Sequence, residues 1–236
     1  MMNSIVVLVY KDNTEEKRNR LRIVLQCIKN QSVESHVIIC YDFNTSAETL
    51  QLCKEFNFNE YIECPREYLS VNSPVGKIKY IYGLIKTKYV AFCDSDDYWL
   101  SNKIETQLNL MESTKAVFSA SSFIHITDNV PNKIEIIATS NYGIINTTPS
   151  TYMFNKELIK DYPIDIDMPF AWDIGVVNKV LTLGNMLYIS TPLIIYNTWN
   201  NNSGSSITDE ERNICRKKLL VYLDSYKKKW NKIILK

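Results

Sequence analysis

Tyr89-Val90-Ala91-Phe92-Cys93-Asp94-Ser95-Asp96-Asp97-Tyr98-Trp99-Leu100 is the stretch on which the reading of this chain turns. Five uncharged, mostly apolar residues run into three carboxylates within four positions, and an aromatic pair follows. An apolar run of that length closed by polar residues reads as a buried strand with its carboxyl end at Asp94. Carboxylates so close together repel one another, and a divalent cation removes the repulsion. A donor set made only of oxygens suits Mg²⁺ or Mn²⁺, which take one or two carboxylates and complete their shell with substrate phosphates and water.

Working outward, the segments upstream repeat the pattern of strand, polar end and helix. Ile5–Val9 is a buried-strand run closed by Lys11-Asp12-Asn13, and Thr14-Glu15-Glu16 opens a helix with Leu21, Val24, Leu25 and Ile28 at helical spacing. Val37–Tyr41 is a second strand ending at Asp42, and Asn44-Thr45-Ser46 caps a helix carrying Leu50, Cys53 and Phe56. Tyr61–Cys64 is a third strand. Ser73-Pro74 starts a helix through Ile78, Ile81, Tyr82 and Ile85, which delivers the chain to Tyr89. Apolar strands alternating with helices predict an α/β fold with a mostly parallel sheet covered on both faces. Ligands of such sheets bind beyond the carboxyl ends of the strands, where Asp12, Asp42 and the Asp94–Asp97 cluster fall. Tyr10 ends the first strand at the same edge.

The second half is less regular. Lys103–Met111 reads as a helix, Ala116–Thr127 and Lys133–Thr139 as strands, and Tyr152-Met153-Phe154 as a short apolar run. Asp173–Leu183 reads as a helix with Gly184 at its C-cap, and Leu187–Ser190 and Leu193–Tyr196 as two extended pieces. Asn200–Ser206 is a polar loop, and from Asp209 a last helix runs towards the end of the chain.

Composition narrows the chemistry. The 236 residues carry 27 Lys and Arg against 26 Asp and Glu, so no global field points to nucleic acid. None of the six glycines stands two or five positions from another, which excludes the Gly-x-Gly dinucleotide loop and the P-loop. With only His36 and His125, zinc sites built on two neighbouring histidines are excluded as well. The six cysteines include no Cys-x-x-Cys pair, and Cys40 and Cys93 sit in apolar runs as small hydrophobes. The N-terminus lacks a basic region and has only five strongly apolar residues in a row, too few for a signal peptide or a span. The expected location is cytoplasmic.

Three known uses of such a cluster do not fit. The Asp-x-Asp strand end of dehalogenase-type phosphatases wants Thr or Val where Tyr98 stands. An EF-hand loop counted from Asp94 needs Gly where Trp99 stands. Sugar-phosphate nucleotidyltransferases need an N-terminal glycine-rich loop, and no glycine precedes Gly76.

Three segments together are similar to those of the inverting, family-2 glycosyltransferases with a GT-A fold, a resemblance covering roughly residues 4 to 206. Tyr89–Leu100 resembles the family's Asp-x-Asp segment. Val37–Asp42 resembles its second strand, whose terminal Asp contacts the nucleotide base. Trp172-Asp173, eleven residues before Gly184, followed by Leu187–Leu193 and Tyr196, resembles the stretch carrying its catalytic base. The resemblance implies a nucleotide-diphosphate sugar donor and a glycan or lipid-linked saccharide acceptor, with Mn²⁺ or Mg²⁺ as cofactor. Asp96 would hold the metal, Asp94 the ribose or the metal, and Asp42 the base, with Ser95 beside the nucleotide sugar. Asp173 would be the general base, Tyr10 would stack on the nucleotide base, Lys77 would add charge near the diphosphate, and Trp99 and Trp172 would offer faces to a sugar ring. Residues 1–100 would form the nucleotide-sugar half and 101–206 the acceptor half. Departures from the family's pattern are Lys77-Ile78-Lys79-Tyr80 in place of an Arg-Asn pair, Trp199 near the place of a His, and Trp172 in place of a Glu. They keep open the reading of a catalytically silent sugar-nucleotide-binding relative; a sugar-phosphate nucleotidyltransferase is a lesser alternative that the missing glycine loop disfavours.

The last residues stand apart in charge. Residues 212–236 hold nine basic side chains against Asp224, a net +8 that leaves −7 on the rest. Leu219, Leu223, Tyr226 and Trp230 share a helical face, with Ile233 and Ile234 beyond. Residues 207–236 are therefore expected to form a basic amphipathic helix able to lie on an anionic membrane, peripheral at the inner face of the plasma membrane.

Overall fold

The computed structural model describes residues 3–9, 13–69, 74–127, 130–135, 147–164, 172–198, 208–226, 229 and 232–236. The chain runs β1 (Asn3–Val9), α1 (Glu15–Lys29), β2 (His36–Asp42), α2 (Ala47–Lys54), β3 (Glu60–Cys64), α3 (Val75–Leu84), β4 (Tyr89–Asp94), β5 (Tyr98–Trp99) and α4 (Lys103–Thr114). It continues through β6 (Phe118–Thr127), β7 (Val130–Glu135), β8 (Met153–Asn155), α5 (Trp172–Leu183), β9 (Met186–Thr198), α6 (Asp209–Tyr226) and β10 (Ile233–Leu235). One ten-stranded sheet has the order β10-β9-β6-β8-β4-β1-β2-β3, with β5 on β9 and β7 on β6.

The first four long strands are parallel, and β1 is central among them, pairing Ile5 with both Val37 and Ala91. Side chains alternate across β1, so its two faces feed two cores. Ile5, Val7 and Val9 pack with Leu21, Val24, Leu25 and Ile28 of α1, whereas Val6 and Leu8 pack with Ile78, Ile81 and Tyr82 of α3. Helix α1 starts where Thr14 accepts the Lys17 N–H, and α2 where Ser46 accepts the Thr49 N–H, as the Thr/Ser positions predict.

The second half is mixed. Strand β8 is antiparallel to both β4 and β6, while β6 and β9 run parallel. The two extended pieces expected over 187–196 are one strand, β9. Pro192 cannot donate to a ladder, and the β6–β9 register shifts on either side of Ser122, its partner. Gly184 does not act through a left-handed cap. It admits a close approach, since a Cβ there would lie 2.5 Å from Val117 Cγ1. Strand β7 spans Val130–Glu135, and the rest of the segment expected to Thr139 lies outside the described residues.

The tail corrects an expectation. The final helix ends at Tyr226, and Ile233–Leu235 pairs parallel with Met186–Tyr188 of β9. Ile233 and Ile234 belong to this edge strand rather than to a helical face. Segment β9–α6–β10 is thus a strand–helix–strand crossover of the same sheet. Helix α6 packs on α5, with Cys215 and Leu219 buried and Ile214, Leu220 and Val221 exposed. Trp230 and the side chains of Leu223 and Tyr226 lie outside the described residues.

Candidate active site

The parallel strands bring Asp42 and Asp94 to one rim, because β2 and β4 flank β1 in the same direction. After Asp94 the chain turns, with the Asp97 N–H donating to the Asp94 carbonyl at 3.4 Å, and returns as β5 along β9. Burial raises the Asp96 carboxyl above the usual range, opposed by Arg20 and Lys17 of α1. Asp97 is buried outright and raised further, first by burial and then by Asp96 and Asp94; the Ser150 hydroxyl and the Asn197 N–H pull the other way. Among the described residues, Asp97 Oδ2 has no hydrogen-bond partner.

Two groups from the second half grip this turn. Ser150 Oγ accepts the Asp94 N–H at 3.0 Å. Asn197 of β9 donates its side-chain amide to the Asp96 carbonyl at 2.6 Å and its main-chain N–H to Asp97 Oδ1 at 3.2 Å.

Asp173 sits in the first turn of α5, where Oδ1 accepts the Ile174 N–H at 3.0 Å. Burial pushes its carboxyl up to about 6, moderated by that bond. Tyr152 lies beneath, its hydroxyl 3.3 Å from the Asp173 carbonyl and 2.8 Å from Thr147 Oγ1. Tyr196 of β9 ties the two acidic regions together: its phenol is raised by burial and then by Asp97, Asp94, Asp173 and Asp96. The carboxylate turn and the start of α5 thus both lie near this one phenol.

Other expected site residues fall as follows. Asp42 and Lys77 meet: Lys77 Nζ donates to Asp42 Oδ1 at 2.7 Å and to the Val9 carbonyl at 2.6 Å. The lysine is 1% exposed. Its charge braces Asp42 from below instead of standing open towards a diphosphate. Trp99 is no sugar platform: it is 2% exposed, and Lys103 Nζ lies 3.8 Å from its ring centroid. The aromatic pair after the cluster is a rung of the β5–β9 ladder, which buries the Trp99 side of it. Ser95 is buried, and Trp172 is half-buried against the core on the α3 and α5 side. Tyr10 lies outside the described residues, as do Asp12 and Trp199.

Sequence reading missed Arg20, Ser150 and Asn197. Arg20 shares a helix face with Lys17, a spacing visible in the sequence. Ser150 and Asn197 carry no motif; their roles depend on which strands become neighbours.

The described residues hold no group of three His, Cys, Asp or Glu side chains converging on one point. Asp94 and Asp96, two half-buried oxygen donors, fit a cation that completes its shell with phosphate oxygens and water. None of the described helices is long and apolar enough to cross a membrane.

A carboxylate-rich turn at the rim of a largely parallel sheet, with a further aspartate at the start of α5, fits the glycosyltransferase class. The chain belongs to glycosyl transferase family 2, whose model matches residues 4–172. Among curated relatives it is 26% identical over 162 residues to the Escherichia coli UDP-Glc:alpha-D-GlcNAc-diphosphoundecaprenol beta-1,3-glucosyltransferase WfaP, covering 66% of this chain and 63% of that one. It is 30% identical over 158 residues to an uncharacterised glycosyltransferase of Rickettsia bellii, covering 62% of this chain and 21% of that one. Among solved structures, S. aureus TarS 1-349 in complex with UDP-GlcNAc superposes with a TM-score of 0.71 at 16% identity, over 93% of this chain and 66% of that one. The chain thus spans less than two thirds of the length of the relatives it matches. The mixed α/β sheet with flanking helices is the GT-A-like fold of TarS.

Proposed function

We propose that the chain transfers a sugar from a nucleoside-diphosphate sugar to a hydroxyl of a glycan or lipid-linked acceptor, with inversion at the anomeric carbon. The observation that carries this reading is Asp173: a carboxyl tuned to about 6 that shares the field of Tyr196 with Asp94 and Asp96. At neutral pH it is ionised, yet more basic than an ordinary aspartate, which suits a general base. Asp173 takes the proton of the acceptor hydroxyl while that oxygen bonds to the anomeric carbon from the face opposite the diphosphate. The bond from the anomeric carbon to the diphosphate oxygen breaks, and its electron pair leaves on the nucleotide.

Asp96 and Asp94 would hold Mn²⁺ or Mg²⁺, which when bound neutralises charge on the leaving diphosphate. Asp42, fixed through one oxygen by Lys77, would accept from an N–H of the base. Tyr10 would stack on that base, Ser95 would pack beneath the nucleotide sugar, and Trp172 would border the sugar. Residues 1–100 carry the donor and 101–206 the acceptor. The names of the similar proteins mention UDP-Glc with GlcNAc-diphosphoundecaprenol and UDP-GlcNAc, which favours a uridine donor and a diphosphate-linked lipid acceptor. The exposed Ile214 and Val221, with Lys217 and Lys218 beside them on α6, would rest on the anionic inner face of the membrane that holds such an acceptor.

Calorimetric titration with UDP, GDP, dTDP and CDP, with and without Mn²⁺, tests the reading on the natural chain and on Asp96→Ala. One nucleotide should bind, with a requirement for metal and Asp96. Binding of none, metal present, would favour the catalytically silent relative. Pyrophosphate release from a nucleoside triphosphate would favour the nucleotidyltransferase.

A further inference from the structure

We propose that Asn197 is the positioning residue of the carboxylate turn: from β9 it fixes the backbone of Asp96 and the side chain of Asp97, and so sets where Asp94 and Asp96 present their oxygens. This rests on the metal-assisted reading above and names a residue from the far side of the sheet that the reading needs.

The geometry is specific. Asn197 is 2% exposed. Its Nδ2 stands 2.6 Å from the Asp96 carbonyl and its N 3.2 Å from Asp97 Oδ1, so one residue holds two successive members of the turn. It also extends a ladder: Trp99 faces Ile194 and Tyr98 faces Ile195. The Leu100 N–H bonds to the Leu193 carbonyl at 3.0 Å. The chain from Asp96 to Leu100 is therefore anchored along β9 from Leu193 to Asn197, with Asn197 at the end where the carboxylates lie. The turn's own bond, from the Asp97 N–H to the Asp94 carbonyl, is long at 3.4 Å. A four-residue turn with one weak internal bond and three close carboxylates does not hold a single shape unaided, because their repulsion spreads it. The short charge-free bond from Asn197 to the Asp96 carbonyl opposes that spreading without adding charge.

An aspartate at 197 keeps the shape but sets an acceptor against the Asp96 carbonyl. An alanine removes the amide and keeps the main-chain N–H that Asp97 uses. Two readouts are taken on the full chain and on Asn197→Ala and Asn197→Asp: amide hydrogen exchange of the peptide spanning residues 93–99, and the Mn²⁺ concentration that half-saturates UDP binding. Exchange in that peptide should quicken in both variants while peptides of α1 and α3 keep their rates. The half-saturating Mn²⁺ should rise about fivefold in Asn197→Ala, the loss of one buried hydrogen bond, and further in Asn197→Asp. Unchanged exchange in the turn overturns the proposal, whatever the nucleotide. So does quickened exchange with an unchanged Mn²⁺ requirement, because Asn197 would then support only the fold. If the natural chain itself binds no UDP at any Mn²⁺ concentration while exchange behaves as expected, the donor and metal reading falls, and with it the role of the turn in holding metal.

Discussion

The sheet's two halves are assembled by different rules. In β3, β2, β1 and β4 every pairing is parallel and each strand follows the last through a helix, with β4 crossing back to the far side of β1. In β8, β6, β9 and β10 directions mix: β8 intervenes, antiparallel, between β4 and β6, and β9 pairs with a strand about seventy residues earlier. Asp42 and Asp94 belong to the helix-linked parallel half, and Asp173 to the mixed one. The two halves meet at a seam, where Ser150 and Asn197 of the second half grip the turn that ends the first.

The largest test of that division separates chemistry from donor binding across the seam. Asp173→Asn should lower transfer by roughly 10³-fold, the scale of a lost general base, while metal-dependent UDP binding stays within about twofold. Product formation by thin-layer assay beside calorimetry reads both, and an active variant would remove Asp173 from the mechanism.

The next test asks whether the second half is as tightly packed as the first. Gly184→Ala drives a methyl to 2.5 Å from Val117 Cγ1 and should cost about 1–3 kcal/mol by urea denaturation. The double variant with Val117→Ala should regain part of that loss, and no regain would place the strain elsewhere.

A third sharpens the contrast through pH. Asp173 binds its proton more tightly folded than unfolded, so between 3.8 and about 6 the native state holds the extra proton and stability falls as pH rises. Asp173→Asn should flatten that slope in melting temperature against pH, and kcat/KM of the natural chain should show an acid limb near 6. Lys103 behaves in the opposite sense. Burial lowers it from 10.5 to about 7, so the unfolded state holds the extra proton in that window and stability rises with pH across it.

The smallest effect concerns α6. Lys217→Glu with Lys218→Glu, both exposed, should leave melting unchanged and weaken flotation with anionic vesicles by about thirtyfold, at about 1 kcal/mol for each basic group removed. Equal flotation would leave α6 as cover for α5 alone. Deleting residues 212–236 does not separate these cases, because it strips a strand from the sheet edge.

The sequence was most readable where folding is local. Apolar runs and caps located β1 to β4 and their helices within a residue or two, and the resemblance over Tyr89–Leu100 led to the family. The roles of Lys77 and Trp99 were misjudged for a common reason. A lysine on a helix and a tryptophan after a polar cluster look exposed in one dimension, and only packing shows that Asp42 and Lys103 cover them. The merging of two segments into β9 and the switch from helix to strand before Ile233 depend on pairings with β6 and β9 themselves. Nothing within a short window encodes those pairings.

Lys103 and Trp99 have a further consequence. An ammonium 3.8 Å over an indole shifts the energy of that ring's excited state, and this ammonium loses its proton at about 7. Trp99 also forms the rung of β5 next to the carboxylate turn. The protein therefore carries its own optical reporter beside the carboxylate turn, whose emission colour follows the protonation of a buried lysine.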